Sequence, residues 1–71
     1  MVVMVRMKID TWKVKLIMAK NGWTRVDVAA FGDFTNQTFG NILKEGTCTP
    51  KIAGKLAKGL GVEITDIVIQ D

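Results

Sequence analysis

The chain contains no histidine, serine or tyrosine, and it has one cysteine, Cys48, and one proline, Pro50. A single cysteine cannot form an internal disulfide, and without histidine the usual structural zinc sites are excluded. Cys48 has no plausible catalytic base beside it, and phosphate-loop and dinucleotide-binding motifs are both absent. We therefore expect a protein that is not an enzyme and that uses no metal or cofactor.

Long apolar runs are also missing. The longest, Met1–Val5, is too short to cross a bilayer and does not follow the charged segment of a secretory signal. A folded chain without disulfides suits a reducing compartment. These features predict a cytoplasmic protein with no membrane contact.

What remains is a short, mildly basic chain. It has 71 residues, 48% of them hydrophobic, and ten Lys and Arg against seven Asp and Glu, for a net charge of +3. This length predicts one domain spanning residues 1–71. Such a chain buries only about 60% of its unfolded surface, so we expect compact helical packing helped by association.

Glycines and capping residues divide the first half of the chain into helices. The segment Ile9–Lys20 has apolar residues at three- and four-residue spacing, with Asp10 as a candidate N-cap. Asn21-Gly22 supplies a left-handed stop. Thr24 then begins a second helix, which ends near Gly32-Asp33.

The second half repeats these signals. Thr35 is the cap of a third helix that runs through Lys44, and Thr49-Pro50 begins a fourth that ends at Leu60. The last apolar segment, Ile64–Ile69, is either a short helical turn or a strand, because it is rich in β-branched residues. Together the patterns predict an all-α fold, a compact bundle of four or five helices.

The segment Thr24–Leu43 places two short helices on either side of a tight turn, Gly32–Phe34. This gapless segment resembles the helix-turn-helix of the phage Cro and repressor proteins, the XRE family, and the resemblance covers about Met7–Val68. In the family pattern Ala29 is the small residue where the two helices cross. The resemblance implies a transcriptional regulator in a phage-like genetic switch, located in a bacterial host. Such proteins commonly dimerise on operator DNA, so a homodimer is expected.

The resemblance also implies which residues contact DNA. The second helix of the pair enters the major groove, where its outward side chains read base edges, and Asn or Gln can bond adenine through two hydrogen bonds. The alternative is that these polar residues form only a solvated helix face. The implied DNA contacts are Arg25 (to phosphate), Thr35, Asn36, Gln37, Thr38, Asn41 and Lys44.

Two features of this face are unusual for a DNA-binding surface. No lysine or arginine lies between Val26 and Leu43, although phosphate contacts supply much of the affinity for DNA. Several outer positions are apolar or lack a side chain, and an exposed apolar patch usually marks a protein contact. The second hypothesis is therefore an antirepressor or modulator that binds a partner phage repressor through Val26, Ala30, Phe31, Gln37 and Gly40.

Other apolar residues carry expectations about the core. We expect Trp23 to be buried, and Ile9, Trp12 and Leu16 to be partly buried along one side of the first helix. Phe31 is as consistent with burial as with exposure, whereas Val26 is expected to be exposed.

Residues 1–6 are either a flexible arm or extra residues from an upstream start codon, and a strand pairing across a dimer is a third reading of Met1–Val5. Three lysines form the solvated stripe of the fourth helix: Lys51, Lys55 and Lys58.

Overall fold

The computed structural model describes residues 6–69, which form five helices and a small three-stranded sheet. The helices are α1 (Thr11–Asn21), α2 (Arg25–Gly32), α3 (Asn36–Glu45), α4 (Pro50–Leu60) and α5 (Ile64–Ile67). The strands are β1 (Met7–Ile9), β2 (Thr47–Cys48) and β3 (Val68–Ile69). The chain is compact and mostly helical, as predicted, but the all-α prediction is wrong in part because of the sheet.

The sheet connects both ends of the described chain to the segment before α4. β1 is its central strand and pairs antiparallel with β2 on one side and β3 on the other. The backbone N–H of Ile9 also donates to Gly46 O at 2.8 Å, and that of Asp10 donates to Ile67 O at 2.8 Å. The segment after α4 is both a helical turn and a strand, so each alternative left open for Ile64–Ile69 is correct for part of it.

The N-terminal prediction needs a correction. Ile9 was expected in the first helix, whereas it ends β1 and is buried in the core. Trp12 and Leu16 were expected to be partly buried, yet they are 69% and 51% exposed. With Ile9 in the sheet, Val14 is the buried residue of α1, and Trp12 and Leu16 lie outside. The predictions for Met1–Val5 lie outside the described residues.

The predicted caps of the first four helices are confirmed. Each of the first four helices begins after a side-chain oxygen that accepts a hydrogen bond from a first-turn backbone N–H, which satisfies one of the free donors there. Most of these helices end where a glycine adopts the left-handed conformation. The N-caps are Asp10, Thr24, Thr35 and Thr49, and the left-handed glycines are Gly22, Gly46 and Gly61.

The core contains apolar side chains from α1 to α5. Its largest fully buried members are Phe39, Leu56, Ile67, Val14 and Val28. Among residues 6–69 no charged or polar residue is buried, so burial there carries no penalty for an unpaired polar side chain. No described helix combines the length and apolar character needed to cross a membrane.

The closest helix packing joins α2 to α4 through two glycines. A Cβ at Gly59 would lie 2.9 Å from Gly32 N and 2.9 Å from Val28 O, both backbone atoms of α2. A Cβ at Gly32 would lie 2.6 Å from Lys55 O. Ala29, the expected crossing residue, is buried as well.

We predict that Gly59→Ala destabilises the protein, because the new methyl group would push α4 away from α2. Overpacking of this kind costs about 1–3 kcal/mol, more than the helix propensity of alanine returns. In a urea titration, the free energy of unfolding should fall by about 1–2 kcal/mol. Gly54→Ala is the matched control: a Cβ there meets no atom within 4 Å, so it should be neutral or stabilising. Equal effects of the two substitutions would contradict the prediction.

Candidate functional site

The turn between α2 and α3 is held by several local interactions. Asp33 ends α2 in the left-handed conformation, with φ of 60°, which aspartate tolerates better than most residues. The Phe34 N–H then donates to Ala29 O at 3.0 Å, and the Phe34 ring packs edge-on against the buried Phe39. Thr35 follows as the N-cap of α3. These contacts fix the direction of α3 relative to α2.

The start of α2 is fixed by a capping box. Thr24 Oγ1 accepts from the Asp27 N–H at 3.3 Å, and Asp27 Oδ2 accepts from the Thr24 N–H at 2.9 Å. Asp27 therefore has a structural partner within its own helix turn. Arg25, the first residue of α2, is exposed to solvent.

The predicted DNA-contact residues of α3 lie mainly on its exposed side. Phe39 and Ile42 are buried, whereas Asn36, Gln37 and Asn41 are exposed. The other four predicted contacts lie near the helix ends. Arg25 begins α2, and Thr35 is the N-cap of α3; both are exposed. Thr38, in the first turn of α3, is half-buried, and Lys44, in its last turn, is exposed.

Thr35 and Thr38 are coupled to each other. The Thr38 N–H donates to Thr35 Oγ1 at 3.0 Å, and the Thr35 hydroxyl donates to Thr38 Oγ1 at 2.8 Å. These two bonds join the N-cap to the first turn of α3.

The structure brings Arg25 and Gly40 together, although the sequence analysis assigned them to different surfaces. A Cβ at Gly40 would lie 3.3 Å from Arg25 Nη1, so the guanidinium of α2 lies over the middle of α3. The missing side chain at Gly40 leaves room for this cation. The sequence signal was the glycine inside a helix, which often marks a close approach of another group.

The apolar residues of α2 are exposed. Val26 is 63% exposed and Phe31 52% exposed, and Ala30 is exposed as well. The Phe31 ring packs edge-on against Trp23 at a centroid distance of 5.4 Å. Trp23 is only half-buried against the core, so its predicted burial is confirmed in part.

A pocket of about 210 Å³ lies beside α3, between its inner edge, β2 and the start of α4. Thr38, Asn41, Ile52 and Arg6 are among the residues that line it, and the buried Cys48 lies at its base. Burial raises the pKa of the Cys48 thiol, and the nearby Arg6 opposes that change. The sequence does not predict this pocket, because its walls come from segments far apart in the chain.

Arg6, which lines this pocket, makes several polar contacts. Its guanidinium donates to Thr47 Oγ1 and to Thr47 O, each at 3.1 Å, and it lies 3.5 Å from a Glu45 carboxylate oxygen. The ion pair is exposed and so contributes little to stability. Within residues 6–69 no cluster of three or more metal-ligating side chains occurs.

Comparison of the chain with protein-family models, with curated proteins and with solved structures gave no significant match. The Cro-type resemblance therefore stays a prediction.

We predict that Cys48 reacts with iodoacetamide much more slowly in the folded protein than in urea. Burial both hides the sulfur and raises its pKa, so little reactive thiolate is available. Because Cys48 is the only cysteine, mass spectrometry of the whole protein measures this reaction directly. Equal rates in the two conditions would show that the thiol is accessible.

Proposed function

We propose that the protein is a transcriptional regulator of the Cro/repressor type, which binds operator DNA through a helix-turn-helix made of α2, Asp33–Thr35 and α3. The observation that carries this proposal is the arrangement of α3. Its start is fixed by a cap and a tight turn, and it exposes Asn36, Gln37 and Asn41 on the side away from its buried residues.

The chemistry of these side chains suits the edges of bases. When α3 lies in the major groove, the amides of Asn36, Gln37 and Asn41 can each donate to and accept from adenine. Arg25 and Lys44 supply positive charge over the middle and at the end of α3. Thr35 and Thr38 lie at its start, where free backbone N–H groups also favour phosphate.

We further propose that the protein acts as a homodimer in the cytoplasm of a bacterial host, within a phage-like switch. A dimer would present two copies of α3 to a pseudo-palindromic operator. The exposed apolar residues outside α3 offer surfaces for such pairing.

The first test is a gel-shift titration with DNA from the region upstream of the gene, at low and physiological salt. We expect a specific shift that Gln37→Ala weakens by about 1–3 kcal/mol, with relaxed preference at one base pair. Thr65→Ala, which changes an exposed residue on α5, is the control and should bind like the wild type. Absence of any specific shift by the wild-type protein would refute direct operator binding.

A second candidate function is favoured by the exposure of Val26 and Phe31. An antirepressor or modulator would dock the same face on a partner repressor, with Val26, Ala30 and Phe31 contributing from α2. Gln37 and Gly40 would contribute from α3. Large exposed aromatic residues are frequent energetic centres of protein interfaces, and this face has few cations to bind phosphate.

For this candidate we expect no shift by the protein alone, but a change in the shift produced by the neighbouring repressor. Phe31→Lys should weaken that effect by about 2 kcal/mol or more, because it places a charge in an apolar contact. Trp12→Lys is the matched control, since Trp12 is an aromatic residue on α1 that is even more exposed, at 69% against 52% for Phe31. If Phe31→Lys left the effect on the repressor intact, α2 would not be the contact.

A further inference from the structure

The outer side of α4 carries three lysines and no acidic residue. Lys51, Lys55 and Lys58 recur at four- and three-residue spacing, opposite the buried Leu56 and Leu60. At 1.5 Å per residue these lysines span about 10 Å along the helix. Lys51 and Lys58 are exposed, and Lys55 is half-buried. We call this set the lysine stripe.

The lysine stripe reaches the turn that precedes α3. Lys55 Nζ donates to Asp33 O at 3.3 Å, in the turn that precedes α3. One turn earlier, Ile52 lines the same pocket as Asn41 from the exposed side of α3. The first two turns of α4 therefore lie near Asn41 and near the turn that precedes α3. The stripe begins next to the surface that is proposed to enter the major groove.

The α2–α3 face has few cations: Arg25 and Lys44 supply its positive charge. Between Val26 and Leu43 it contains Asp27 and Asp33 but no lysine or arginine. Each phosphate neutralised by a cation releases bound counterions, which supplies much of the affinity for duplex DNA. Two cations neutralise few phosphates, so an operator-binding protein with this face gains affinity from cations on a neighbouring element, and the lysine stripe is an acid-free cationic surface near it.

We propose that the lysine stripe contacts the phosphate backbone of the duplex whose major groove α3 enters. This inference rests on the proposed operator binding and adds to it the source of the phosphate contacts. Lysine suits this role because it is a point charge on a flexible stem, and phosphate contacts position a protein without reading sequence.

The test measures the dependence of DNA affinity on salt for two duplexes, one from the upstream region and one of the same composition in scrambled order. Substituting the whole stripe, by Lys51→Gln, Lys55→Gln and Lys58→Gln, should weaken binding to both duplexes. The slope of log affinity against log salt concentration is negative, and the substitution should lower the magnitude of this slope by about 0.9 for each phosphate that is no longer neutralised. The ratio of the two affinities should stay the same.

A second variant and a control complete the design. Lys51→Gln with Lys58→Gln keeps the Lys55 bond to Asp33, and it should still lower the slope by about 1.8. The control changes the net charge of the protein by the same amount as the full substitution, on the exposed side of α1, through Lys13→Gln, Lys15→Gln and Lys20→Gln. We expect the control to keep a slope close to that of the wild type.

The failures can be told apart. If the wild type binds neither duplex, operator binding and this inference fall together. If the wild type binds and the two triple variants lower the slope equally, only net charge matters and the inference alone is overturned. The inference is also overturned if the stripe variants keep the wild-type slope on DNA. If those variants in addition no longer affect the neighbouring repressor, the occupant of the stripe is an acidic protein.

Discussion

The backbone contact between α2 and α4 is the constraint on which the rest of the structure depends. Gly32 and Gly59 let the two helices approach to a distance that any side chain would prevent. Because Gly32 is the last residue of α2, this contact lies directly before the turn that leads to α3. It brings Lys55 within reach of Asp33 O. The packing of α2 on α4 therefore places α4 and its Lys55 beside the turn whose own contacts direct α3.

The helix boundaries could be predicted because their signals are local. A threonine or aspartate cap and a left-handed glycine act within one turn of the chain, and so they can be identified without knowing the tertiary structure. The sheet could not be found in this way. Its strands have two or three residues, too few to show alternation, and they pair segments far apart in sequence. Ile9 continued the helical spacing of Trp12 and Leu16, which hid its place in a strand.

The candidate site was predictable in the identity of its residues but not in their arrangement. Gln37 and Asn41 could be assigned to the exposed side of α3 because helical periodicity places them opposite Phe39 and Ile42. Contacts between helices have no such periodic signal. The position of Arg25 over Gly40, like the bond from Lys55 to Asp33, depends on how separate helices pack, so it emerged only from the structure.

The pairing of β1 with β3 has a consequence for the order in which the protein folds. Lys8 pairs with Ile69, a partner 61 residues away, so this contact closes the largest loop in the described chain. Loop closure of that length has a high entropic cost until the intervening helices have shortened the distance between the ends. The helices can therefore pack first, with β3 joining β1 as the final step. On the reverse path β3 would detach first, so its amide protons should exchange with solvent faster than those of α2 and α4.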